Sequence, residues 1–88
     1  MKKNELKKIL SQEIEKYRNK SYEELIGIID PITYSYGSGE SFYQVEVQVL
    51  EKNEEYVHVS VAVDDGRFLR AIAPLSHSFI VYKSGRVT

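Results

Sequence analysis

Two neighbouring stretches carry the strongest pattern in this chain, YQVEVQVLEK (residues 43–52) and YVHVSVAVD (residues 56–64). Valine occupies every second position in both of them: Val45, Val47 and Val49, then Val57, Val59, Val61 and Val63. The residues between the valines are mostly polar. Alternation with a period of two is typical of a strand with one buried face. The two stretches therefore predict an antiparallel strand pair whose valines lie on one side.

The register of this pair follows from matching valine with valine. A loop with an odd number of residues, either Asn53–Glu55 or Lys52–Tyr56, produces the pairs Val49–Val59, Val47–Val61 and Val45–Val63. A two-residue loop would shift the register by one position. Such a slip moves the whole apolar set of a strand to its other face. We therefore predict the odd-numbered loop.

The first thirty residues have helical periodicity. After Asn4, a candidate N-cap, apolar residues recur at helical spacing: Leu6, Ile9, Leu10, Ile14 and Tyr17. This helix is predicted to fade near residues 18–20. Ser21 and Glu24 then form a capping-box pattern. They predict a second, short helix that runs through Ile29 and is ended by Asp30-Pro31, since proline disfavours a helical residue before it.

Further strands are predicted on both sides of the valine pair. Ile32–Tyr36 has the pattern of a short first strand, and residues 37–40 form a glycine-containing turn. Phe79–Lys83 is predicted as the last strand. Residues 68–73 are predicted as a strand between Gly66 and Pro74, and proline ends it because it cannot donate to the ladder.

The register of this intervening strand depends on the turn at residues 64–66. A two-residue Asp65-Gly66 turn would place Phe68 and Ile72 on the valine face, with Arg70 among them. A three-residue loop would turn Arg70 outward, opposite Ser60. Burying an unpaired guanidinium costs several kcal/mol, so we prefer the three-residue loop.

These elements predict an α+β fold, in which one or two N-terminal helices pack on one face of a four- to five-stranded antiparallel β-meander. Neither the helical stripe nor the valine face can be buried by its own layer, and packing the two layers together solves both problems. We expect residues 1–88 to form a single domain, with a helical segment over 1–30 and a sheet over 31–88.

Composition bounds the class of protein. The chain has 88 residues, no cysteine, 42% apolar and 28% charged residues, and a net charge of −1. These values are ordinary for a globular domain, and the lack of cysteine excludes disulfides and thiolate metal sites. No apolar run approaches the roughly 20 residues that span a bilayer, and no secretory signal is present. We therefore expect a cytoplasmic protein that does not bind membranes.

Few residues suggest catalysis. The two histidines, His58 and His77, lack metal-ligand spacing, and His77 is predicted in a turn. Asp64 and Asp65 precede a glycine, which is ordinary turn composition. No phosphate-binding or dinucleotide-binding motif occurs. We predict no catalytic constellation, no metal and no cofactor.

Tyrosine is over-used, with seven residues in 88. It offers large contact area and a hydroxyl group, which suits binding surfaces, although it is also a good strand former. We predict an aromatic and polar outer sheet surface as the candidate binding site. Its members are Tyr34, Tyr36, Tyr43, Tyr56, His58 and Arg70.

These residues are compatible with three functions. The first is a small non-enzymatic protein-binding or accessory module of bacterial type. The second is an enzymatic or small-ligand site that combines His58, His77, Arg70 and tyrosines. The third is weak nucleic-acid binding through residues 2–20, which contain seven basic and three acidic residues. The remaining chain has five basic and ten acidic residues, which argues against a nucleic-acid partner for the sheet.

Self-association is a related expectation. The first or the last strand should lie at a sheet edge, where unpaired backbone groups permit strand addition. Residues 79–82 are almost continuously apolar, so apolar side chains on both faces of that strand are expected to be buried. A homodimer is therefore one expected form of partner binding.

Overall fold

The computed structural model describes residues 3–65 and 75–88. The described part contains two helices and four strands in this order: α1 (Lys3–Arg18), α2 (Tyr22–Ile26), β1 (Ile32–Tyr36), β2 (Tyr43–Lys52), β3 (Tyr56–Asp64) and β4 (Leu75–Tyr82). The strands form one antiparallel sheet in the order β1-β2-β3-β4, and the helices contact one face of it. The predicted α+β class is confirmed, as are the predicted bounds of β1, β2 and β3.

The valines of β2 and β3 pair as predicted. Val45 lies opposite Val63, Val47 opposite Val61, and Val49 opposite Val59. All of these except the partly buried Val49 are fully buried. Asn53–Glu55 lie between the two strands, but Lys52 pairs with Val57 rather than with Tyr56. The predicted odd-numbered loop is therefore wrong, although the predicted valine pairs are present.

A bulge at Leu50 adjusts this hairpin. The register shifts between Val49 and Glu51, so that Lys52 pairs with Val57. At the tip, the Asn53 amide donates to the Tyr56 carbonyl at 3.0 Å. If β2 had no extra residue, the pairing of Asn53 with Tyr56 would place each valine of β2 one position away from its valine partner in β3. Leu50 is that extra residue, and half of its side chain surface is exposed (50%).

The helices cover the valine face. α1 packs over β3 and β4, and α2 packs over β2 and β3. The Ser21 side chain accepts from the Glu24 amide at 3.1 Å, and the Glu24 carboxylate accepts from the Ser21 amide at 3.1 Å, so the predicted capping box is confirmed. The buried core combines both layers: Leu10, Ile14, Tyr17, Tyr22, Leu25, Val45, Val47, Val57, Val59, Val61, Val63, Phe79 and Val81.

α2 is shorter than predicted. It ends at Ile26 rather than running through Ile29, and Gly27 is its C-cap. Glycine weakens a helix interior. Ile28 beyond it packs against the core, whereas the side chain of Ile29 is 84% exposed.

β4 is longer than the predicted last strand and starts at Leu75. His77 therefore lies in a strand, and its predicted place in a turn is wrong, because Leu75, Phe79 and Val81 continue the period-two pattern against β3. Ser60 pairs with Gln48 on one side and Ser78 on the other, so the predicted pairing of Ser60 with Arg70 is also wrong. The predicted strand over 68–73 and the register of the turn before it lie outside the described residues.

The two edges of the sheet differ. Residues 86–88 fold back along β4: the Ile80 and Thr88 backbones exchange hydrogen bonds of 3.0 and 2.9 Å, and the Tyr82 amide donates to the Arg86 carbonyl at 2.8 Å. At the opposite edge, β1 pairs only with β2 among the described residues. Residues 86–88 thus cover part of the β4 edge, and β1 forms the opposite edge of the sheet.

Candidate functional site: a tyrosine strip beside a buried carboxylate

The predicted binding residues do not share one surface. Tyr34 pairs with Val45, and Tyr36 pairs with Tyr43, which puts all three tyrosines on the valine side of the sheet. Tyr56 and His58 pair with Tyr82 and Ile80 on the opposite side. The side chains of cross-strand partners point to the same face, so the tyrosines of β1 lie on the same face of the sheet as the valines of β2. The predicted single outer surface is wrong in this respect, and Arg70 lies outside the described residues.

Tyr34, Tyr36 and Tyr43 form a continuous row of rings, here called the tyrosine strip. The ring centroids of Tyr34 and Tyr36 are 5.5 Å apart with an interplanar angle of 81°, and those of Tyr36 and Tyr43 are 5.3 Å apart at 36°. Such geometries are favourable for aromatic pairs. Tyr36 is 45% exposed, and the other two rings are partly buried. The strip therefore presents an ordered aromatic surface next to the β1 edge.

The turn between β1 and β2 closes this row. Gly37 has a φ of +74°, and a Cβ at that position would lie 2.3 Å from the Ser41 carbonyl oxygen. Only glycine fits there, because both the backbone conformation and the space exclude a side chain. The Ser41 hydroxyl also donates to the Ser38 carbonyl at 2.9 Å. This tight turn, predicted from its glycines, brings Tyr43 back against Tyr36.

A buried carboxylate anchors one end of the strip. Glu13 of α1 is only 6% exposed. The Tyr34 hydroxyl donates to Glu13 Oε2 at 2.6 Å, and Lys16 Nζ lies 2.9 Å from the same oxygen. The hydroxyl oxygens of Tyr17 and Tyr34 are 3.2 Å apart. A buried charge is tolerated when it is paired and hydrogen-bonded, and this network meets that condition.

Glu13 was not among the predicted site residues, although the sequence contains a signal for it. Glu13 lies three residues after Leu10 and four before Tyr17, inside the apolar stripe of α1. A charged residue at such a position must either break the stripe or find partners across the interface. Its partner is Tyr34, whose distance from Glu13 along the chain conceals the contact.

The network fixes protonation states. Burial raises the pKa of Tyr34, and the hydrogen bond to Glu13 raises it further. The hydrogen bond to Glu13 likewise raises the pKa of Lys16, while burial raises the pKa of Tyr43. At neutral pH, Tyr34 is thus a protonated donor and Lys16 a cation. The arrangement suits a fixed structural anchor rather than a base or a nucleophile.

The other face of the sheet carries a second aromatic cluster. The Tyr56 hydroxyl donates to Glu51 Oε1 at 2.6 Å, and this hydrogen bond raises the pKa of Tyr56. The ring centroids of Tyr56 and Tyr82 are 5.8 Å apart, and the Arg86 guanidinium lies 4.2 Å from the Tyr82 ring centroid. These contacts satisfy one another within the chain. This face offers a matched set of residues for control experiments.

The two histidines point away from each other. His58 pairs with Ile80 on the outer face, whereas His77 pairs with Val61 on the valine side. A site that combines both histidines is therefore not formed. In the part of the chain that the structure describes, no group of three or more His, Cys, Asp or Glu side chains is placed to hold a metal ion.

Comparison with models of known protein families, with curated protein sequences and with solved structures gives no match. Neither described helix has the length and apolarity needed to cross a membrane.

Proposed function

We propose that this chain is a non-enzymatic protein-binding module, an accessory or regulatory component, whose partner docks on the tyrosine strip at the β1 edge. The proposal places it in the cytoplasm, as the sequence predicts. The observation that carries it is the exposed ring of Tyr36, held in place by its contacts with Tyr34 and Tyr43.

Ordered tyrosines are efficient binding residues. A tyrosine side chain buries a large area for the loss of few rotatable bonds, and residues of this type dominate the energetics of many interfaces. The ring contacts and the Glu13 anchor already restrict Tyr34, so little further ordering is needed on binding. The strip also adjoins backbone groups of an edge strand, which a partner can use.

Nucleic-acid binding through α1 is the weaker alternative. Lys16 and Arg18 lie 2.9 and 3.8 Å from carboxylate oxygens of Glu13 and Glu15, respectively. Lys20 Nζ lies 6.0 Å from the Tyr17 ring centroid. These internal contacts compete with phosphate binding, which needs several free cations on one surface.

The test compares three tagged chains in cells of the native host: wild type, Tyr36→Ala and the matched control Tyr56→Ala on the opposite face. After cross-linking, bound proteins are quantified by mass spectrometry. Loss of a central aromatic should reduce recovery of the partner by at least about tenfold for Tyr36→Ala. The control should retain it. Equal recovery by the two variants, or no specific partner with wild type, contradicts the proposal.

A further inference from the structure

Among the described residues, β1 is a short edge strand of five residues that carries neither a charged side chain nor a covering segment. Natural edges are blocked by charged side chains, internal prolines or covering segments. β1 reads Ile-Thr-Tyr-Ser-Tyr, without a charge or a proline. The opposite edge of the sheet is covered in part by residues 86–88. The contrast points to β1 as a strand that accepts a partner strand.

Exposed apolar side chains gather at the same edge. The structure describes four large hydrophobic residues with substantial exposure, and three of them lie in or just before β1: Ile29, Ile32 at 38% and Tyr36. The fourth, Leu50, is the bulge residue. Ile32 and Tyr36 lie on the same face of β1, on either side of Tyr34. A partner on β1 would cover Ile32 and Tyr36 together.

We infer that the partner is a second copy of this chain, paired antiparallel with β1 about a two-fold axis at Tyr34. This inference rests on the proposed function and identifies its partner. In this register Tyr34 lies opposite Tyr34 of the second copy, Ile32 lies opposite Tyr36, and Thr33 lies opposite Ser35. The five-residue strand is therefore complementary to itself. Aromatic–aliphatic and Thr–Ser pairs are favourable across strands, and β1 itself contributes no charged side chain to the pairing.

The placement of the helices leaves room for this arrangement. α1 contacts mainly β3 and β4. It reaches β1 at the Tyr34 side chain, which donates to Glu13, and it leaves the ring of Tyr36 45% exposed. A two-fold axis perpendicular to the sheet puts both helical layers on the same side, with the two tyrosine strips between them. The net charge of −1 per chain opposes association little. Because the contact centres on five residues of each copy, we expect a weak and reversible dimer.

Charge placement at Thr33 and Ser35 tests the inference, since both side chains are exposed. The Thr33→Lys/Ser35→Lys variant sets lysine against lysine in the dimer, whereas Thr33→Lys/Ser35→Glu sets lysine against glutamate. The control, Ser76→Lys/Ser78→Lys, adds the same charges to exposed serines of β4. Sedimentation velocity should span about 5 to 500 µM, since a small interface gives a weak complex.

We expect wild type, the Lys/Glu variant and the β4 control to shift from monomer to dimer over this range. The Lys/Lys variant should require at least about tenfold higher concentration, because like charges directly opposite each other destabilise strand pairs. A wild-type monomer at every concentration overturns the inference, as does a Lys/Lys variant that dimerises like wild type. If wild type stays monomeric while Tyr36→Ala still loses a different partner, the inference fails and the proposed function stands.

A cysteine experiment tests the register without added charge. The chain has no cysteine, so Thr33→Cys and Ser35→Cys each introduce a single thiol. In a mixture of the two chains, the thiols lie directly opposite each other. In either chain by itself they are diagonal, about 7–8 Å apart, which is long for a disulfide. Disulfide-linked dimers should form mainly in the mixture, and equal yields in all three samples contradict the proposed pairing.

Discussion

Glu13 determines how α1 is tied to β1. Its carboxylate accepts hydrogen bonds from Tyr34 and Lys16, on the strand and on its own helix. Lys16 is half-exposed, so its charge is partly screened by solvent and contributes less than its distance suggests. The Tyr34 hydroxyl is therefore the more specific of the two partners.

Removal of the Tyr34 hydroxyl should destabilise the fold. We expect Tyr34→Phe to lower the free energy of unfolding by about 1.5–3 kcal/mol, because a buried carboxylate loses its donor. Tyr36→Phe, at a half-exposed ring, should cost less than about 0.5 kcal/mol. The measurement is urea denaturation followed by circular dichroism. In a cycle with Glu13→Gln, the Tyr34→Phe and Glu13→Gln effects should be non-additive. Equal costs for the two Phe variants would contradict this role of Tyr34.

The same hydroxyl predicts how stability depends on pH. The pKa of Tyr34 is raised in the folded state by burial and by the hydrogen bond to Glu13, whereas an unfolded tyrosine titrates near about 10. Above that pH the unfolded chain loses a proton that the folded chain keeps, so the free energy of unfolding falls as pH rises. Below it the contribution is fully present.

Urea denaturation from about pH 8 to about pH 11 tests this expectation. Lys16 acts in the same direction, since its pKa is also raised in the folded state. Tyr34→Phe removes the contribution of Tyr34, whereas those of Lys16, Tyr43 and Tyr56 remain. Stability of the variant should therefore fall less steeply with pH than that of wild type. Identical slopes for the two proteins would show that Tyr34 ionisation is not linked to unfolding.

Among the elements, the valine hairpin was predictable and its exceptions were not. Alternation predicted β2, β3 and the Val45–Val63 register, because only one pairing buries both valine sets. The bulge at Leu50 could not be predicted, because Leu50 lies within a run of strand-forming residues. β4 was predicted too short, since Ser76-His77-Ser78 has the composition of a turn. Pairing with β3 overrides that composition.

The tyrosine strip was only half predictable. Ile32, Tyr34 and Tyr36 alternate along β1, so the sequence shows that they share a face. Which face that is depends on the partner strand, and pairing with the valines of β2 decides it. The Glu13 contact depends on the position of α1 over the sheet. Local pattern holds no information about that position.

The bulge predicts an unusual tolerance to deletion. Removing Leu50 should leave an uninterrupted ladder, with Val49 still opposite Val59 and Glu51 opposite His58. Because Leu50 is half-exposed, little buried surface is lost. We expect the free energy of unfolding to change by no more than about 1 kcal/mol, measured by urea denaturation.

Deletion of Ser60 from β3 is the matched control. β3 is paired on both sides, so this deletion moves valines off the buried face against β2 and β4 together. That variant should be unfolded or severely destabilised. The two deletions having similar effects would contradict the role of Leu50 as the extra residue.

At the scale of the whole molecule, the two layers cover the sheet unevenly. α1 lies mainly over β3 and β4 and touches β1 at Tyr34, and α2 lies over β2 and β3. Tyr36, at the end of β1, therefore keeps an exposed ring. The tail at residues 86–88 reinforces β4 in the same uneven way. An edge strand and a fixed aromatic row therefore occur together on one side of the protein. This coincidence is the basis of the proposed binding surface.

Amide hydrogen exchange, followed by NMR in dilute solution, tests most directly whether β1 is an open edge. Amides of β3, which is paired on both sides, should exchange slowly, and the hydrogen-bonded amides of Ile80 and Thr88 should be protected relative to exposed loops. Alternate amides of β1 should exchange rapidly, because an edge strand directs half of its backbone groups away from its neighbour. Uniform protection of β1, equal to that of β3, would contradict an open edge and with it the proposed binding surface.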